Sequence, residues 1–147
     1  MMTFTSEVFK NNETIPIKYT CEGEAMLPPF SIQGVSVIAK SLAIIMEDPD
    51  APSGIWAHWV KWNIASNVTS IKEGKEPKGL SGLNTGGTLV YSSPCPPYGT
   101  HRYVFKLYAL HTMLDLPEGS SKKELEKAMM GHILEHVELN GFYTRTK

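Results

Sequence analysis

The sequence predicts a mainly β protein, an antiparallel β-sandwich with a peripheral helical region near the C-terminus. Three observations lead to this prediction. The apolar segments are mostly of strand length, turn signals rich in proline and glycine separate them, and the helical pattern comes only after residue 120. Many strands followed by one late helix are typical of a sandwich with the helix packed outside it.

The strand signals differ in strength along the chain. Residues 14–20, TIPIKYT, alternate only weakly, and Pro16 confines them to a sheet edge or a strand start. Residues 41–47, SLAIIME, form a continuous apolar run, which is typical of a strand covered on both faces. Further strands are predicted at residues 57–64 (AHWVKWNI), 87–93 (GTLVYSS) and 101–110 (HRYVFKLYAL).

The helical signal lies near the C-terminus. Ser121 followed by Glu124 predicts a capping box, and apolar residues then recur with helical spacing as far as Val137. Gly131 is expected to bend or break this helix. Residues 138–147, ELNGFYTRTK, are compatible with a final strand.

Composition and charge favour a single globular domain over residues 1–147. Hydrophobic residues make up 41% and charged residues 20%, as in soluble proteins long enough to bury a genuine core. The formal net charge is −1 and no dense block of Lys or Arg occurs, which argues against nucleic acid as a partner. No segment approaches the ~20 apolar residues of a membrane span, so no stable membrane insertion is expected.

The N-terminal segment and the cysteines indicate the compartment. The first residues lack the basic flank and the sustained apolar stretch of a secretory signal, so the expected location is the cytoplasm. The chain has two cysteines, Cys21 and Cys95. Since no export signal precedes them, we predict that they are reduced thiols rather than a disulfide.

A proline-rich loop, residues 47–59 (EDPDAPSGIWAHW), carries the first candidate site residues. Asp48 and Asp50 follow a buried strand, and His58 opens the next one. Because alternate side chains of a strand share a face, His58 is expected at the rim of an apolar face. The other members of that face would be Val60, Trp62 and Ile64. Asp-Pro pairs are also ordinary turn chemistry, so this motif alone carries little weight.

A second proline-rich loop, residues 93–103 (SPCPPYGTHRY), also leads into a strand that begins with a histidine. Strand parity places four residues on one face, namely His101, Tyr103, Phe105 and Leu107. Arg102 lies on the opposite face and is expected to pair with a carboxylate. Two loops that each combine a stiff backbone with a histidine on an apolar face are the main evidence for a site.

Both loops resemble the signature regions of a known family, the phosphatidylethanolamine-binding proteins, and specifically its bacterial and archaeal Raf kinase inhibitor-like branch. The matching stretches are MEDPDAPSGIWAHWVKWNI and PCPPYGTHRYVFKLYAL. The resemblance extends to the family's N-terminal segment through IPIKYTCEG and PPFSI, and to its C-terminal Gly-His helix through GHILEHVELNGFY. It covers nearly the whole chain.

The resemblance implies a β-sandwich with a small anion-binding pocket at one end, no cofactor, no metal and no established catalysis. The pocket accepts phosphate-like groups, including the phosphoethanolamine headgroup. By match of motif, its residues are Asp48, Asp50, Pro52, His58, Pro94, Gly99, His101 and Tyr103. Imidazoles, a phenol and loop amides are suited to donate to phosphate oxygens, and a carboxylate to orient an imidazole or to meet an ammonium.

Several departures from the family pattern put narrower functions in doubt. Ser93 stands where glycine is often found, Leu27 where serine is usual and Gln33 where tryptophan is common. Residues 81–93 form a shorter and less polar loop, and the helix that borders the pocket in eukaryotic members is expected to be absent, since the sequence ends at Lys147. The pocket is carried over, but not phospholipid selectivity or kinase inhibition. A protein partner, such as a kinase or a protease, and a homodimer stay open.

Three other functions stay open at this point. HILEH fits the H-x-x-E-H pattern of inverted zinc peptidases, with His132 and His136 on one helix face, although a third ligand would have to come from elsewhere. A Cys-His-Asp hydrolase would use Cys95, His101 and Asp48. A protein-interaction module would bind a phosphorylated or acidic segment in the same pocket.

Overall fold

The chain folds into two β-sheets, a short 3-10 helix and one α-helix. The structure is a computed structural model that describes residues 1–146. The 3-10 helix spans Ile17–Tyr19 and α1 spans Lys122–Met129. The strands are β1 (Thr3–Thr5), β2 (Glu13–Thr14), β3 (Phe30–Gln33), β4 (Ser41–Asp48), β5 (Trp56–Ala65), β6 (Ser70–Ile71), β7 (Leu80–Ser81), β8 (Thr100–Leu110) and β9 (Ile133–Thr144).

Two sheets of unequal size pack face to face. The small sheet has the strand order β1-β3-β6, and the large sheet has the order β2-β9-β8-β4-β5-β7. The named strands pair antiparallel, apart from the short parallel pair of β2 with β9. One face of the large sheet packs against the small sheet, and α1 covers the other face. The predicted antiparallel sandwich with a peripheral helix is confirmed.

The central strand β4 is buried on both faces, as its unbroken apolar run predicts. Leu42 and Ile44 pack toward the small sheet, whereas Ala43 and Ile45 pack toward α1. All four are fully shielded from water, and a buried side chain the size of leucine or isoleucine contributes about 1.5–3 kcal/mol. β4 pairs with β5 on one side and β8 on the other, so the predicted strands around the two proline-rich loops form the centre of the large sheet.

The strand predicted over residues 14–20 is wrong beyond its first residue. Thr14 ends β2, and the chain turns into the 3-10 helix directly after Pro16. Thr20 N donates to Ile17 O across this turn. The fixed φ of proline starts a helical turn as readily as a strand, and the weak alternation does not distinguish the two.

The strand predicted over residues 87–93 is also wrong, because the Asn84 side chain organises this segment as a loop. The Asn84 amide donates to Val90 O at 2.8 Å and accepts from Thr88 N at 2.9 Å. These hydrogen bonds occupy backbone groups that would otherwise pair with a neighbouring strand. Asn84 is buried, so these hydrogen bonds are sheltered from competing water.

The capping box at the start of α1 is confirmed. Ser121 Oγ accepts from Glu124 N at 3.1 Å, and Glu124 Oε1 accepts from Ser121 N at 2.8 Å. The helix ends at Met129, and Gly131 turns the chain with φ +81°, which favours glycine. Within residues 1–146 the helices are all too short to cross a membrane.

β9 occupies the region where the local periodicity predicts more helix, so the helical prediction as far as Val137 is wrong. β9 pairs with β8 from Thr144 back to Ile133. This long ladder outweighs a modest local helix preference. The final strand predicted after residue 137 is confirmed as far as Thr144, and Lys147 lies outside the described residues.

Cys21 and Cys95 form a disulfide, so the prediction of reduced thiols is wrong. Their Cα atoms lie 5.4 Å apart, although 74 positions separate them in the sequence. The fold brings the segment after the 3-10 helix beside the second proline-rich loop, where Cys21 N donates to Pro94 O at 3.1 Å. Neither the sequence separation nor the N-terminal segment carries information about this contact.

Candidate functional site

A cavity of about 350 Å³ opens at one end of the sandwich. β4 ends there, and β5 and β8, both antiparallel to β4, begin there. The two proline-rich loops therefore meet at the same edge of the large sheet. The cavity is lined by Asp48, Ala51, Pro52, Ser53, Trp56, His58, Ser92, Ser93, Cys95, Pro97 and His101.

The eight residues expected at the site fall into two groups. The cavity wall contains Asp48, Pro52, His58 and His101. The other four brace the loops or support the rings from behind the wall. They are Asp50, Pro94, Gly99 and Tyr103.

Asp48 and His101 form a buried hydrogen-bonded pair. His101 Nδ1 lies 2.6 Å from Asp48 Oδ2, and the two residues are only 5% and 3% exposed. Because a carboxylate accepts, His101 carries a proton on Nδ1 and keeps Nε2 for a ligand. The second carboxylate oxygen of Asp48 accepts from Asp50 N at 2.8 Å. Both oxygens of Asp48 are therefore engaged within the protein.

His58 is held in the same tautomer by a backbone carbonyl. Its Nδ1 donates to Ser92 O at 2.8 Å, so Nε2 is again the ring nitrogen left for a ligand. Burial lowers the pKa of His58 below its ordinary value of 6.5, and the Ser92 carbonyl and the Asp48 charge offset part of this effect. At neutral pH His58 is therefore uncharged, with Nε2 as an acceptor.

A β-bulge turns His58 toward the small sheet, so its predicted face is wrong. The register between β4 and β5 shifts between Met46 and Glu47, and this shift leaves His58 as the extra residue of β5. The imidazole consequently meets the ring of Tyr103 edge-on, with centroids 5.4 Å apart. Two of its expected neighbours pack on the opposite face against α1, namely Val60 and Trp62.

Tyr103 supports both imidazoles from the core side. It is fully buried, and its ring centroid lies 5.4 Å from that of His58 and 6.4 Å from that of His101. Burial and the nearby Asp48 charge raise the pKa of its hydroxyl, which therefore stays protonated at neutral pH. The predicted common face is confirmed for His101, Tyr103, Phe105 and Leu107.

Asp50, Pro94 and Gly99 brace the two loops. Asp50 Oδ2 accepts from Arg102 N at 2.8 Å and so ties the first loop to β8. The Arg102 guanidinium is in no ion pair within residues 1–146, so its predicted carboxylate partner is wrong. Pro94 O accepts from Cys21 N, and Gly99 adopts φ +71°, which favours glycine.

Several lining residues were not among the expected site residues. Trp56 opens β5 directly opposite Asp48, a position that strand pairing alone would identify. Ser92 lies in an irregular loop, and no sequence periodicity predicts the path of that loop. Ser93, where this chain departs from the family pattern, does line the cavity. The remaining unexpected members are Ala51, Ser53, Cys95 and Pro97.

The two enzymatic alternatives lack their key groups in this structure. Cys95 is bonded to Cys21, so it offers no thiolate to a Cys-His-Asp hydrolase. His132 precedes β9, and His136 lies within β9, stacked on Tyr108 at 4.9 Å between centroids, so the predicted helix face is wrong. Across residues 1–146 no three His, Cys, Asp or Glu side chains are grouped as metal ligands.

Comparison with known sequences shows which protein family this chain is similar to. A family profile described as "Phosphatidylethanolamine-binding protein" matches residues 5–144. The UPF0098 protein PH1269 of Pyrococcus horikoshii is 51% identical over 150 residues, which cover 95% of this chain and 75% of that protein. The UPF0098 protein of Methanothermobacter thermautotrophicus is 48% identical, covering 98% of this chain and 99% of that protein.

Two solved structures are similar over almost their full length. The phosphatidylethanolamine-binding protein homolog CT736 of Chlamydia trachomatis superimposes with a TM-score of 0.95 at 42% identity, covering 98% of this chain and 97% of that one. The Escherichia coli protein YbcL, described as a member of the mammalian PEBP family, superimposes with a TM-score of 0.90 at 28% identity, covering 99% of each chain.

Proposed function

Because the chain belongs to the phosphatidylethanolamine-binding protein family, we propose that it is a binding protein whose cavity accepts a small phosphate-like anion, such as phosphate or a phosphoethanolamine headgroup. One observation carries this proposal. His58 and His101 line the same cavity, each with Nδ1 already hydrogen-bonded and Nε2 left for a ligand. Paired imidazoles in this arrangement suit the oxygens of a phosphoryl group.

The protonation state of the two imidazoles determines whether each Nε2 donates a hydrogen bond to an anion or accepts one from it. A neutral imidazole with its proton on Nδ1 offers only an acceptor at Nε2, whereas an imidazolium offers a donor there. An anion at His58 or His101 therefore binds together with a proton, carried either by the ring or by the phosphoryl oxygen. When His101 is protonated, Asp48 supplies a charged partner on the opposite side of the ring.

The rest of the wall supplies shape and neutral donors. The lining set from residues 1–146 contains no Lys or Arg, so among the lining side chains it is the imidazoles that can carry positive charge. Hydroxyl groups of Ser53 and Ser93 are suited to donate to phosphate oxygens. Pro52 and Pro97 stiffen the wall, which lowers the entropy cost of ordering it around a ligand. A volume of about 350 Å³ suits a small ligand.

Exposed apolar side chains close in sequence to the lining residues favour a second candidate occupant. Ile55, Val90 and Tyr98 are 56%, 59% and 70% exposed, and each lies within two residues of a lining residue. A free headgroup would leave these side chains in water, whereas a protein segment with a phosphoryl or carboxylate group would cover them. The second candidate is therefore a phosphorylated or acidic segment of a protein partner.

An NMR titration of the histidine resonances tests the proposal. The protein is titrated near pH 6 and near pH 7.5, separately with O-phosphoethanolamine and with inorganic phosphate. Saturable shifts are expected at His58 and His101, while the exposed His111 and His136 stay unchanged. Stronger binding of the ethanolamine ester would indicate that a carboxylate meets the ammonium group.

Matched variants complete this experiment. His101→Asn should weaken phosphate binding about tenfold or more, since it removes a charge-assisted hydrogen bond. His136→Asn changes an exposed histidine on β9 and should bind phosphate like the wild type. If neither anion shifts His58 or His101, the anion proposal fails, and binding of a phosphopeptide in that case would establish the second candidate.

A further inference from the structure

The Cys21–Cys95 disulfide lies at the surface against a guanidinium group. Both cysteines are exposed residues. Arg145 Nη1 lies 3.3 Å from Cys95 Sγ but 4.0 Å from Cys21 Sγ. Exposed disulfides are the ones that exchange with other thiols. This bond therefore combines access with an uneven charge environment at its two sulfurs.

The loop that carries Cys95 also holds Arg145 in place. Arg145 Nη1 donates to Pro96 O at 3.2 Å, and Arg145 N donates to Gly99 O at 3.3 Å. These two hydrogen bonds hold the guanidinium beside Cys95. A nearby positive charge stabilises a thiolate and lowers its pKa.

The charge next to Cys21 has the opposite sign. Glu22 follows Cys21 in the chain, and Glu22 Oε1 accepts from Tyr143 Oη at 2.7 Å and from Thr146 N at 2.9 Å. Hydrogen bonds from Thr146 and Tyr143 hold the pKa of Glu22 well below its ordinary value, so this carboxylate is ionised at neutral pH. A thiolate is therefore better stabilised at Cys95, whose sulfur lies nearer the Arg145 guanidinium, than at Cys21, which precedes an ionised carboxylate in the chain.

We propose that Cys21 is a site of reversible modification by low-molecular-weight thiols, with Cys95 as the leaving group. The thiolate of the small thiol attacks Cys21 Sγ and forms a new S–S bond there. The Cys21–Cys95 bond breaks, and Cys95 leaves with the electron pair as a thiolate beside Arg145. Exchange is faster when the departing thiolate is stabilised.

The exchange is balanced and reversible. One disulfide and one thiolate give a mixed disulfide and another thiolate, and Cys95 reverses the step by attacking Cys21 Sγ and expelling the small thiol. With a dithiol, the second thiolate of the reagent attacks the reagent's own sulfur in the mixed disulfide and releases Cys21. The dithiol is then oxidised to a disulfide, and two electrons have passed to the protein. None of these steps requires a ligand in the cavity.

The position of the mixed disulfide is the first test. The full chain is incubated with reduced glutathione, free thiols are trapped with N-ethylmaleimide in acid, and tryptic peptides are analysed by mass spectrometry. Cys21 falls in residues 19–40 and Cys95 in residues 79–102, so the two sites separate cleanly. Glutathione is expected on residues 19–40 and the maleimide on residues 79–102. The reverse distribution would overturn the proposal.

The rate of reduction by dithiothreitol is the second test. Arg145→Gln should slow reduction about tenfold, because the leaving thiolate loses its counter-charge. Arg145→Lys keeps the charge and should recover part of the rate. The matched control is Arg102→Gln, which removes an exposed arginine elsewhere and should leave the rate unchanged.

A direct measurement keeps the assignment testable if Arg145→Gln also loosens the loop. In a Cys21→Ser variant, thiolate absorbance near 240 nm reports the ionisation of Cys95. We expect the pKa of Cys95 to lie below that of an ordinary thiol, about 8.5, and to rise when Arg145→Gln is added. If the pKa of Cys95 is ordinary both with and without Arg145→Gln, Arg145 does not stabilise the Cys95 thiolate. The proposal that Cys95 is the leaving group then fails.

Discussion

His101 Nδ1 lies 2.6 Å from Asp48 Oδ2, and this hydrogen bond joins the start of β8 to the end of β4. The contact serves the fold and the cavity together. It links two neighbouring strands at the point where their ladder ends, and it also fixes which nitrogen of His101 can meet a ligand. The same side chain of Asp48 holds the backbone of Asp50, so one carboxylate organises both the ring and the first loop.

Removal of this carboxylate should destabilise the protein. Asp48→Ala leaves the buried Nδ1 of His101 without its acceptor, and we expect the free energy of unfolding to fall by about 1–3 kcal/mol. Urea denaturation near pH 7 measures the change. The matched control is Asp50→Ala, an exposed residue, which should cost clearly less. Equal losses from the two variants would contradict a special role for the Asp48–His101 contact.

Anion binding should be linked to proton uptake at His58. Because burial lowers the pKa of His58, the free protein should show this ring titrating below pH 6.5, and bound phosphate should raise the midpoint. Phosphate affinity should therefore increase as the pH falls from about 7.5 to about 6. Calorimetry in buffers of different ionisation enthalpy measures the proton uptake directly. Binding without proton uptake and without pH dependence would contradict this prediction.

The same lowered pKa of His58 predicts a loss of stability in mild acid. The unfolded chain binds a proton on His58 near pH 6.5, whereas the folded chain binds it only at lower pH. The contribution of the neutral ring is thus fully present above pH 6.5 and is lost as the pH falls through the folded-state pKa. His58→Gln should flatten the fall in Tm between about pH 7.5 and 5.5, whereas the exposed-site variant His136→Gln should keep the wild-type slope.

The disulfide should stabilise the chain and shape the cavity. A double Cys21→Ser, Cys95→Ser variant should lose about 4 kcal/mol in the free energy of unfolding, as expected for a cross-link that spans many residues. Phosphate affinity should also fall, because Cys95 and Pro97 belong to the cavity wall. Reduced wild-type protein should reproduce both effects. If oxidised and reduced protein bind phosphate equally well, the loop does not depend on the cross-link.

Gly141 should not tolerate a side chain. It lies on β9 opposite Tyr103, and a Cβ there would come 2.5 Å from Ile15 Cγ1 and 2.9 Å from Phe9 Cε2. Gly141→Ala should cost about 1–3 kcal/mol through overpacking. Thermal unfolding measures this cost, with Thr144→Ala at the exposed end of the same strand as the control. A neutral Gly141→Ala would show that the core beside β9 repacks without cost.

Features with local signals could be predicted from the sequence. The central strands follow from apolar runs of the right length, and the capping box follows from a spacing of three residues. The grouping of the two proline-rich loops has a local signal as well, since each combines a stiff backbone with a histidine at the start of a strand, although their contact depends on the pairing of β4 with β8. The repeated motif and the family resemblance therefore suffice to group Asp48, His58 and His101.

Features that depend on distant pairing could not be predicted. The segment after Gly131 has helical periodicity, but the open edge of β8 recruits it as a strand. The bulge beside His58 arises from the register with β4, which the sequence of β5 alone does not encode. The contact between Cys21 and Cys95 arises from the packing of two irregular segments. Each of these outcomes is decided by a partner far away in the chain.

The central position of β4 has a consequence for synthesis on the ribosome. Its neighbour β5 follows at once, but its other neighbour, β8, is complete only 45 residues after β5 ends, at Leu110. At a translation rate of about 5–20 residues per second, this delay lasts roughly 2–9 s. Throughout that time a strand with an apolar centre, residues 42–46, presents unpaired backbone groups along one side, which is the kind of edge that captures other chains. The yield of native protein is thus set partly by how well the nascent hairpin is shielded until β8 emerges.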